Sequence, residues 1–494
     1  MAEVIFDDVP ARVLDPGVYT EVDDSGAAGT AIGLPKRILL VGGRTSAGSV
    51  LAGVLTRITG DGQGTAYFGP GSMLEQMIDQ ARGFSTNARR VEMWAIAVND
   101  DASGVAAAGT ITFAGTATAD GEVVYLVGGR RIEVPVSDDD AAATVATAAA
   151  AEDHTHTAMA DTVSGAVLTL TARNDGPAGN HIDIRQVSMP AGITATIVQP
   201  TSGATPPSFT ATISAIGGQQ WTHIALGYDD DASVDAFETE LARRAGPMVD
   251  QWGHIFVGSN DSLANALTYG AARNSQYTTV GHLHLAPSSP WEIAAWTCMA
   301  DAERDDPARP RNGISGATRG FYGTGSGGLT PTRMEDFLIS EDRQQLLDAG
   351  ITPLKVDEFA RISVARMITT RQTDDNAVSS DVWLDITTPR TIAACIYTWE
   401  ARIKALYPAH KKDGDGGVQV GGVVTPKEIK AVAAAVFDDT WVSRGWVKSS
   451  QRAEFIASII VEDHDSDVNR FNIQFEPPLI NGAHVFATKF AFRL

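Results

Sequence analysis

The end of the chain carries the clearest alternation of apolar and polar positions. In residues 469–475 every second side chain is apolar, from Phe471 through Ile473 to Phe475. Residues 484–494 have extended character, and one face of a strand there would carry Phe486, Phe490, Phe492 and Leu494. We therefore predict a three-stranded meander over residues 453–494 that ends the chain on a strand.

Both ends of the chain can supply strands for pairing between subunits. At the C-terminus only Lys489 and Arg493 could protect the edge of the last strand. Such a strand is either sealed within its own sheet, the commoner case in globular proteins, or donated to a neighbouring chain, which produces polymers. At the N-terminus, residues 1–35 lack helical periodicity and form an arm. Its short extended piece contains Val18, Tyr19, Thr20 and Val22.

The next part of the chain alternates between buried strands and amphipathic helices. A continuous apolar run over residues 37–43 is typical of a strand buried on both faces of a parallel sheet. Ser72 and Glu75 mark the start of a helix, and residues 91–98 form the next strand. The alternation resumes at residue 221 and continues to the helix that Pro290 opens. This pattern predicts a layered α/β core.

Two other parts of the chain have a different pattern of predicted secondary structure from this core. Residues 100–218 consist mainly of short strands separated by glycine-rich turns, which indicates a mostly β insertion. Beyond residue 388 come a long helix, a second helix capped by Thr425 and Glu428, and the terminal meander. The predicted fold class is α/β and multidomain. Its parts are an N-terminal extended arm (1–35), an α/β core (36–99 and 219–387), an inserted β-rich domain (100–218) and a C-terminal α+β domain with a strand-donating arm (388–494).

Composition and charge narrow the possible partners. The 494 residues include 38 basic and 60 acidic side chains, a net charge of −22, so nucleic acid is a poor partner. Residues 394–494 hold 12 basic and 12 acidic side chains, which leaves all the net negative charge before them. No apolar run reaches the roughly 20 residues of a membrane helix, so we expect no membrane insertion. The N-terminus lacks a secretory signal pattern, and we expect synthesis in a cytosol.

No local pattern indicates catalysis, a cofactor or a metal. No lysine follows a glycine and no histidine precedes a glutamate, which removes the phosphate loop and the zinc-protease helix. His282 and His284 share a strand face, but the sequence places no third ligand near them. The run of three aspartates over residues 229–231 precedes a helix, where acidic side chains usually face solvent. We therefore predict that the protein is not an enzyme, and that it has no catalytic, cofactor-binding or metal-binding residues.

Several segments together resemble the contractile tail sheath proteins of myophages, particularly the Mu-like branch. They are residues 16–21 (PGVYTE), 35–42 (PKRILLVG), 68–74 (FGPGSML), 109–113 (GTITF) and 171–180 (TARNDGPAGN). The resemblance covers nearly the whole chain in order and spacing.

The resemblance implies a structural subunit of the virion tail, made in the host cytoplasm. Its partners would be itself, in a helical stack of hexameric rings, the tail tube protein, and the baseplate and tail terminator proteins. The terminal arms would pair with neighbouring subunits while the sheath contracts and drives the tube through the host envelope. The insertion would lie outermost, and Lys427 and Lys430 would face the tube. Two alternatives stay open: the sheath of a related contractile injection system, and an α/β enzyme without a local motif.

Overall fold

The structure, a computed structural model, describes residues 36–325, 327–414, 421–465 and 467–489. The predicted N-terminal pairing residues Val18, Tyr19, Thr20 and Val22 lie outside the described residues. So do three of the predicted C-terminal pairing residues: Phe490, Phe492 and Leu494. Within the described ranges, no helix is both long and apolar enough to cross a lipid bilayer.

Strands and helices alternate along most of the described chain. The strands are β1 Arg37–Gly43, β2 Thr56–Ile58, β3 Glu92–Val98, β4 Ala108–Gly115, β5 Gly121–Val127, β6 Arg130–Val136, β7 Met159–Ser164, β8 Val167–Ala172, β9 Ile184–Ser188, β10 Ile193–Thr201, β11 His223–Leu226, β12 Ile255–Ser259, β13 Thr278–His282, β14 Ile351–Val356, β15 Ile362–Val364, β16 Lys411–Lys412, β17 Val423–Val424, β18 Ile460–Asp463 and β19 Phe471–Gln474. The α-helices are α1 Gln63–Phe68, α2 Met73–Gly83, α3 Ala142–Ala151, α4 Thr210–Ala215, α5 Asp231–Ala245, α6 Leu263–Ala271, α7 Pro290–Ala302, α8 Ser340–Asp348, α9 Thr387–Leu406, α10 Pro426–Ala435 and α11 Arg452–Ser458.

An eight-stranded sheet forms the centre of the molecule. Its order is β15-β14-β13-β12-β11-β1-β3-β2. The six inner strands are parallel, and the two edge strands, β15 and β2, run antiparallel to their neighbours. The chain leaves this sheet after β3 and returns at β11, which lies directly beside β1. The predicted layered α/β core is confirmed.

Local signals in the sequence account for the best predicted elements of this core. The β1 side chains Ile38 to Val41 are completely buried, as expected for a strand covered on both faces. The Ser72 side chain accepts the backbone N–H of Glu75 and thereby begins α2. Ser289 and Glu292 form a capping box at the start of α7. Every residue of α7 is buried, because this helix packs against both β12 and α2.

The residues between β3 and β11 form two further antiparallel sheets. One has the order β10-β4-β8-β7 and the other β6-β5-β9, with α3 packed against β4, β6 and β8. The helix of this insertion, α3, begins at Ala142. Apolar side chains of these sheets and of the eight-stranded sheet belong to one continuous buried cluster. The mostly β character of the insertion is confirmed, while the exact domain boundaries stay a prediction.

The residues after α9 are organised around a second, separate apolar cluster. Phe437, Trp441 and Phe455 are its most buried aromatic side chains. The rings of Phe437 and Phe455 stack with centroids 4.3 Å apart. Trp441 donates its indole N–H to Thr398 Oγ1 at 2.9 Å and so ties the cluster to α9. The predicted capping box of Thr425 and Glu428 begins α10.

The predicted meander over residues 453–494 is wrong at its start, where α11 extends to Ser458. Phe455 is the buried residue of this helix, and its ring packs against Phe437 and Trp441. Packing of Phe455 on Phe437 therefore overrides the extended interpretation of this short apolar run. The two strands present are β18 and β19, and residues 481–489 pair with no other strand among the described residues.

Candidate assembly site

A buried charged cluster fastens α9, and with it the C-terminal part, to the sheet core. Asp301 in the last turn of α7 accepts Nε–H of Arg311 at 2.6 Å and Nε–H of Arg390 at 2.9 Å. His223 Nε2 lies 3.1 Å from the same carboxylate. Arg390 also donates Nη1–H to the Thr222 carbonyl at 2.5 Å, at the start of β11. We call Asp301, Arg311, Arg390 and His223 the Asp301 cluster.

The electrostatics of the Asp301 cluster favour one fixed charge state. Burial alone would raise the pKa of Asp301, but the Arg390 and Arg311 guanidinium groups hold that pKa well below its usual value. Burial, assisted by the Arg390 charge, lowers the pKa of His223 to about 4. Near neutral pH the cluster therefore contains an ionised Asp301 and an uncharged His223. A buried charge pair of this kind is costly to break from one side only.

A second polar contact between the core and α9 involves two carboxyl groups. Asp250, in the segment after α5, lies beside Glu400 of α9. Partial burial and the neighbouring Glu400 carboxyl raise the pKa of Asp250 to about 6. Lys404 binds Glu400 one helical turn further along at 2.5 Å. This contact is therefore sensitive to pH in a range where the Asp301 cluster is not.

The hairpin of β18 and β19 has open edges. Val461 pairs with Ile473, and Val461 points into the aromatic cluster, while Ile460 on the other face is 47% exposed. Neither strand pairs on its outer side with another strand in the described part of the chain. Because an isolated two-stranded sheet is marginally stable, added strands would stabilise it. The two outer edges of the hairpin thus present unpaired backbone groups to which a further strand can bind.

The chain beyond β19 runs along the core and then becomes exposed. Ile480 donates its N–H to the Trp446 carbonyl at 3.0 Å, and His484 Nδ1 lies 2.9 Å from Asn312 Nδ2. Immediately afterwards, Val485 and Phe486 are 84% and 85% exposed. Phe486 and Lys489 are thus held near the protein surface without a strand partner among the described residues.

An apolar groove of about 340 Å³ lies between α9 and the segment after β19. Ile396 and Trp399 of α9 form one wall, and Phe475, Pro477 and Leu479 form the other. The Trp399 and Phe475 rings meet edge to face at 5.1 Å between centroids. The open hairpin, the exposed terminal segment and this groove therefore all lie in the same C-terminal part of the molecule.

The two predicted tube-facing lysines lie on one side of α10. Lys427 and Lys430 are three positions apart and both exposed. Neither forms an ion pair with a carboxylate in the described ranges. Because both side chains are exposed, they are accessible to another protein. Neither lysine forms a hydrogen bond or an ion pair with Phe486 or Lys489, the two described strand-pairing residues.

Sequence reasoning missed the contacts that fasten the C-terminal part to the core. Asp301 and Arg390 are 89 positions apart, and neither belongs to a motif. Asp250 and Glu400 are likewise distant in sequence. The one signal in the sequence was Arg390 itself, an arginine near the start of a largely apolar helix. If such a residue is buried, it usually requires a buried counter-charge.

Comparison with known proteins shows a full-length relative. The chain is 26% identical over 506 residues to the Mu-like prophage FluMu tail sheath protein of Haemophilus influenzae, covering 99% of this chain and 100% of the relative. No protein-family model matches the chain. The resemblance to Mu-like tail sheath proteins that the sequence motifs indicated is confirmed.

Solved structures of similar proteins were also found. The chain aligns with a sheath tail protein of Desulfitobacterium hafniense at a TM-score of 0.48 and 12% identity, over 94% of this chain and 100% of that one. It aligns with a sheath tail protein of Listeria innocua at a TM-score of 0.46 and 13% identity, over 90% and 92% of the two chains. A chain of the anti-feeding prophage baseplate aligns at a TM-score of 0.44 and 13% identity, over 98% and 100%.

Proposed function

We propose that this protein is the tail sheath subunit of a contractile phage tail and polymerises as stacked hexameric rings around the tail tube. The observation that carries the proposal is the end-to-end match to a Mu-like tail sheath protein. Such a protein is a structural component of the virion tail, and we propose no catalytic activity for it.

Strand exchange is the proposed mechanism of assembly. The open edges of the β18–β19 hairpin accept strands from neighbouring subunits. The donated strands would come from the two arms, through Val18, Tyr19, Thr20 and Val22 at one end and Phe486, Lys489, Phe490, Phe492 and Leu494 at the other. Backbone hydrogen bonds would supply most of the affinity, and the aromatic side chains would bind in apolar grooves such as the one beside Trp399.

Contraction requires that subunits stay linked while they move. In the proposed mechanism the arms act as hinges, and the rigid sheet cores slide and rotate relative to one another. The extended sheath is then a higher-energy state that persists because its release is slow. Baseplate and terminator proteins would hold the two ends of the stack. Shortening and widening of the stack would drive the tube through the host envelope.

A related contractile injection particle is the second candidate. Sheath subunits of the two kinds of particle would need the same strand exchange. Genes for a tube and a baseplate would accompany both, whereas capsid genes would accompany only a phage tail.

The tube contact is proposed to involve Lys427 and Lys430. The test is co-sedimentation of sheath with purified tube after substitution of both lysines by glutamate. We expect weaker binding, with a marked salt dependence of the wild-type interaction. Lys355, an exposed lysine of β14 in the core, provides the matched control, and its substitution by glutamate should leave tube binding unchanged.

Negative-stain electron microscopy tests the assembly mechanism directly. We expect rings or tubes from the full-length protein and monomers from a version that lacks residues 483–494. The shortened protein should keep its circular dichroism spectrum, since Val485 and Phe486 contribute almost no buried surface. Compact monomers from both versions, in the presence of tube and baseplate proteins, would contradict the proposal.

A further inference from the structure

Two cavities flank Lys36, the first residue that the structure describes. The Lys36 ammonium group donates to the carbonyl oxygens of Ala302 and Arg304 at 3.1 and 2.5 Å, and to Asp305 Oδ1 at 2.8 Å. These bonds fix the point from which residues 1–35 depart. Lys36 lies in the wall of both cavities, so the part of the chain that precedes Lys36 starts next to them.

The first cavity, which we call the seam pocket, lies between the core and the C-terminal part. It has a volume of about 440 Å³, and its wall includes Lys36, Arg304, Pro307, Arg390, Ala394 and Trp446. The pocket therefore touches the residue before β1, the segment after α7, α9 and the turn before α11. An occupant would contact both parts of the molecule at once.

The seam pocket combines an apolar wall with a cationic lining. Five of its lining residues are lysine or arginine, and Asp305 is the one carboxylate among them. Asp305 is already bonded to Lys36, and Arg311 and Arg390 share the single Asp301 carboxylate behind the pocket wall. Arg304 is half-buried and forms no ion pair with a carboxylate in the described ranges. In a chain of net charge −22, this lining selects an acidic occupant with apolar side chains.

The second cavity has the opposite character. It has a volume of about 420 Å³, and its charged lining consists of Glu92, Glu303 and Asp305 together with Lys36 and Arg90. Asp305 and Glu92 are already paired with Lys36 and Arg37. The apolar residues in the wall are Val91 and Ala302, and the cavity lacks an aromatic side chain. The seam pocket therefore offers an apolar occupant more contact than this cavity does.

The segment before Lys36 has the required composition. Residues 1–35 contain seven acidic residues and one basic residue, Arg12. Leu34 is two positions before Lys36 in the sequence, and Asp23 and Asp24 are the acidic residues nearest to Lys36 on that side. A tether of this length keeps the segment at an effective concentration in the millimolar range, so that weak contacts suffice for binding.

We propose that residues 23–35 bind in the seam pocket of their own chain, with Leu34 against Pro307, Ala394 and Trp446, and with the Asp23–Asp24 pair facing Arg304. This contact joins the core to the C-terminal part and gives residues 1–22 a fixed point of departure. The inference concerns a contact within one chain, so it does not rest on the proposed function.

Hydrogen exchange of the full-length protein, at concentrations low enough to prevent assembly, tests the proposal. We expect the backbone amides of residues 25–34 to exchange at least about tenfold more slowly than in an unstructured peptide, because the bound segment must open before it exchanges. Leu34→Asp and Arg304→Glu should each remove this protection. Arg309→Glu, at an exposed arginine outside the pocket wall, is the matched control and should leave it unchanged. Protection within α7 reports whether each variant keeps its fold.

Reversal of the proposed ion pair and a dilution series distinguish the proposal from binding of a second copy and from absence of binding. Asp23→Lys with Asp24→Lys should restore protection to the Arg304→Glu protein, because the ion pair is then reversed. Protection in the wild type should not change on dilution, since the contact is intramolecular. Protection that falls with dilution would identify a second copy as the occupant and overturn the proposal. Unprotected amides in the wild type, or variants that exchange like the wild type, would overturn it as well.

Discussion

Nε of Arg390 lies 2.9 Å from Oδ2 of Asp301 across the boundary between α9 and the sheet core. The aspartate is completely buried and the arginine nearly so. A buried ion pair of this kind contributes little over an apolar pair of the same shape, but removal of one partner leaves an uncompensated charge. The pair therefore acts as a specific fastening of the C-terminal part to the sheet core.

Replacement of Arg390 by methionine should destabilise the protein by about 3 kcal/mol, because Asp301 would keep only Arg311 and His223 as partners. The measurement is the free energy of unfolding in urea at pH 7. Arg402→Met, at an exposed position of the same helix, is the control and should change stability by less than about 0.5 kcal/mol. Equal stabilities of the two variants would show that the Arg390–Asp301 pair does not fasten α9.

The contact between Asp250 and Glu400 should make stability depend on pH. The pKa of Asp250 is raised to about 6 in the folded protein, so the folded state holds a proton that the unfolded state releases near pH 4. The contribution of Asp250 is therefore most favourable below about pH 4 and is progressively lost as the pH rises through about 6. Asp250→Asn should remove this component and make the protein more stable than the wild type at pH 7.5.

The control for the Asp250 prediction is Glu358→Gln, which changes an exposed carboxylate that has no hydrogen bond from another described side chain. Unfolding free energies of the three proteins between pH 4.5 and pH 8 provide the comparison. If the stability of Asp250→Asn and of Glu358→Gln depends on pH in the same way as that of the wild type, the carboxyl groups of Asp250 and Glu400 do not interact.

Substitution of alanine for glycine at two positions should change the stability of the protein in opposite directions. A Cβ on Gly258 of β12 would lie 1.9 Å from the Pro290 carbonyl oxygen, where α7 crosses the sheet, whereas a Cβ on Gly83 of α2 would meet no atom within 4 Å. Gly258→Ala should therefore cost about 3 kcal/mol through overpacking. Gly83→Ala should stabilise by about 0.5 to 1 kcal/mol through lower backbone entropy in the unfolded chain. Thermal unfolding of both variants decides the sign of each effect.

Substitutions at two phenylalanines should distinguish effects on folding from effects on assembly. Phe455 is buried against Phe437 and Trp441, and Phe486 is exposed. Phe455→Ala should cost about 3 to 5 kcal/mol, because it leaves a cavity in the second apolar cluster. Phe486→Ala should change monomer stability by less than about 0.5 kcal/mol and yet reduce the yield of rings and tubes seen by electron microscopy. An unchanged yield would remove Phe486 from the proposed pairing surface.

Local patterns in the sequence determined the elements whose stabilising contacts are themselves local. The Ser72 cap, the Ser289–Glu292 capping box and the Thr425–Glu428 capping box each join residues three positions apart, so a single stretch of sequence contains both partners. The uninterrupted apolar run of β1 likewise indicates a strand covered on both faces without reference to its neighbours. The α/β class and the mostly β insertion followed from such patterns.

Tertiary structure decided what depends on residues far apart in the chain. Residues 453–458 are apolar enough for a strand, and it was packing of Phe455 on Phe437 that selected a helix. Asp301, Arg390 and His223 belong to three separate elements, and no spacing rule connects them before the sheet brings them within 3.1 Å. Backbone propensity and capping act over one or two helical turns, whereas burial and ion pairing act through space. The sequence alone therefore determined the elements, and only the tertiary structure decided how the C-terminal part is fastened and which surfaces it leaves open.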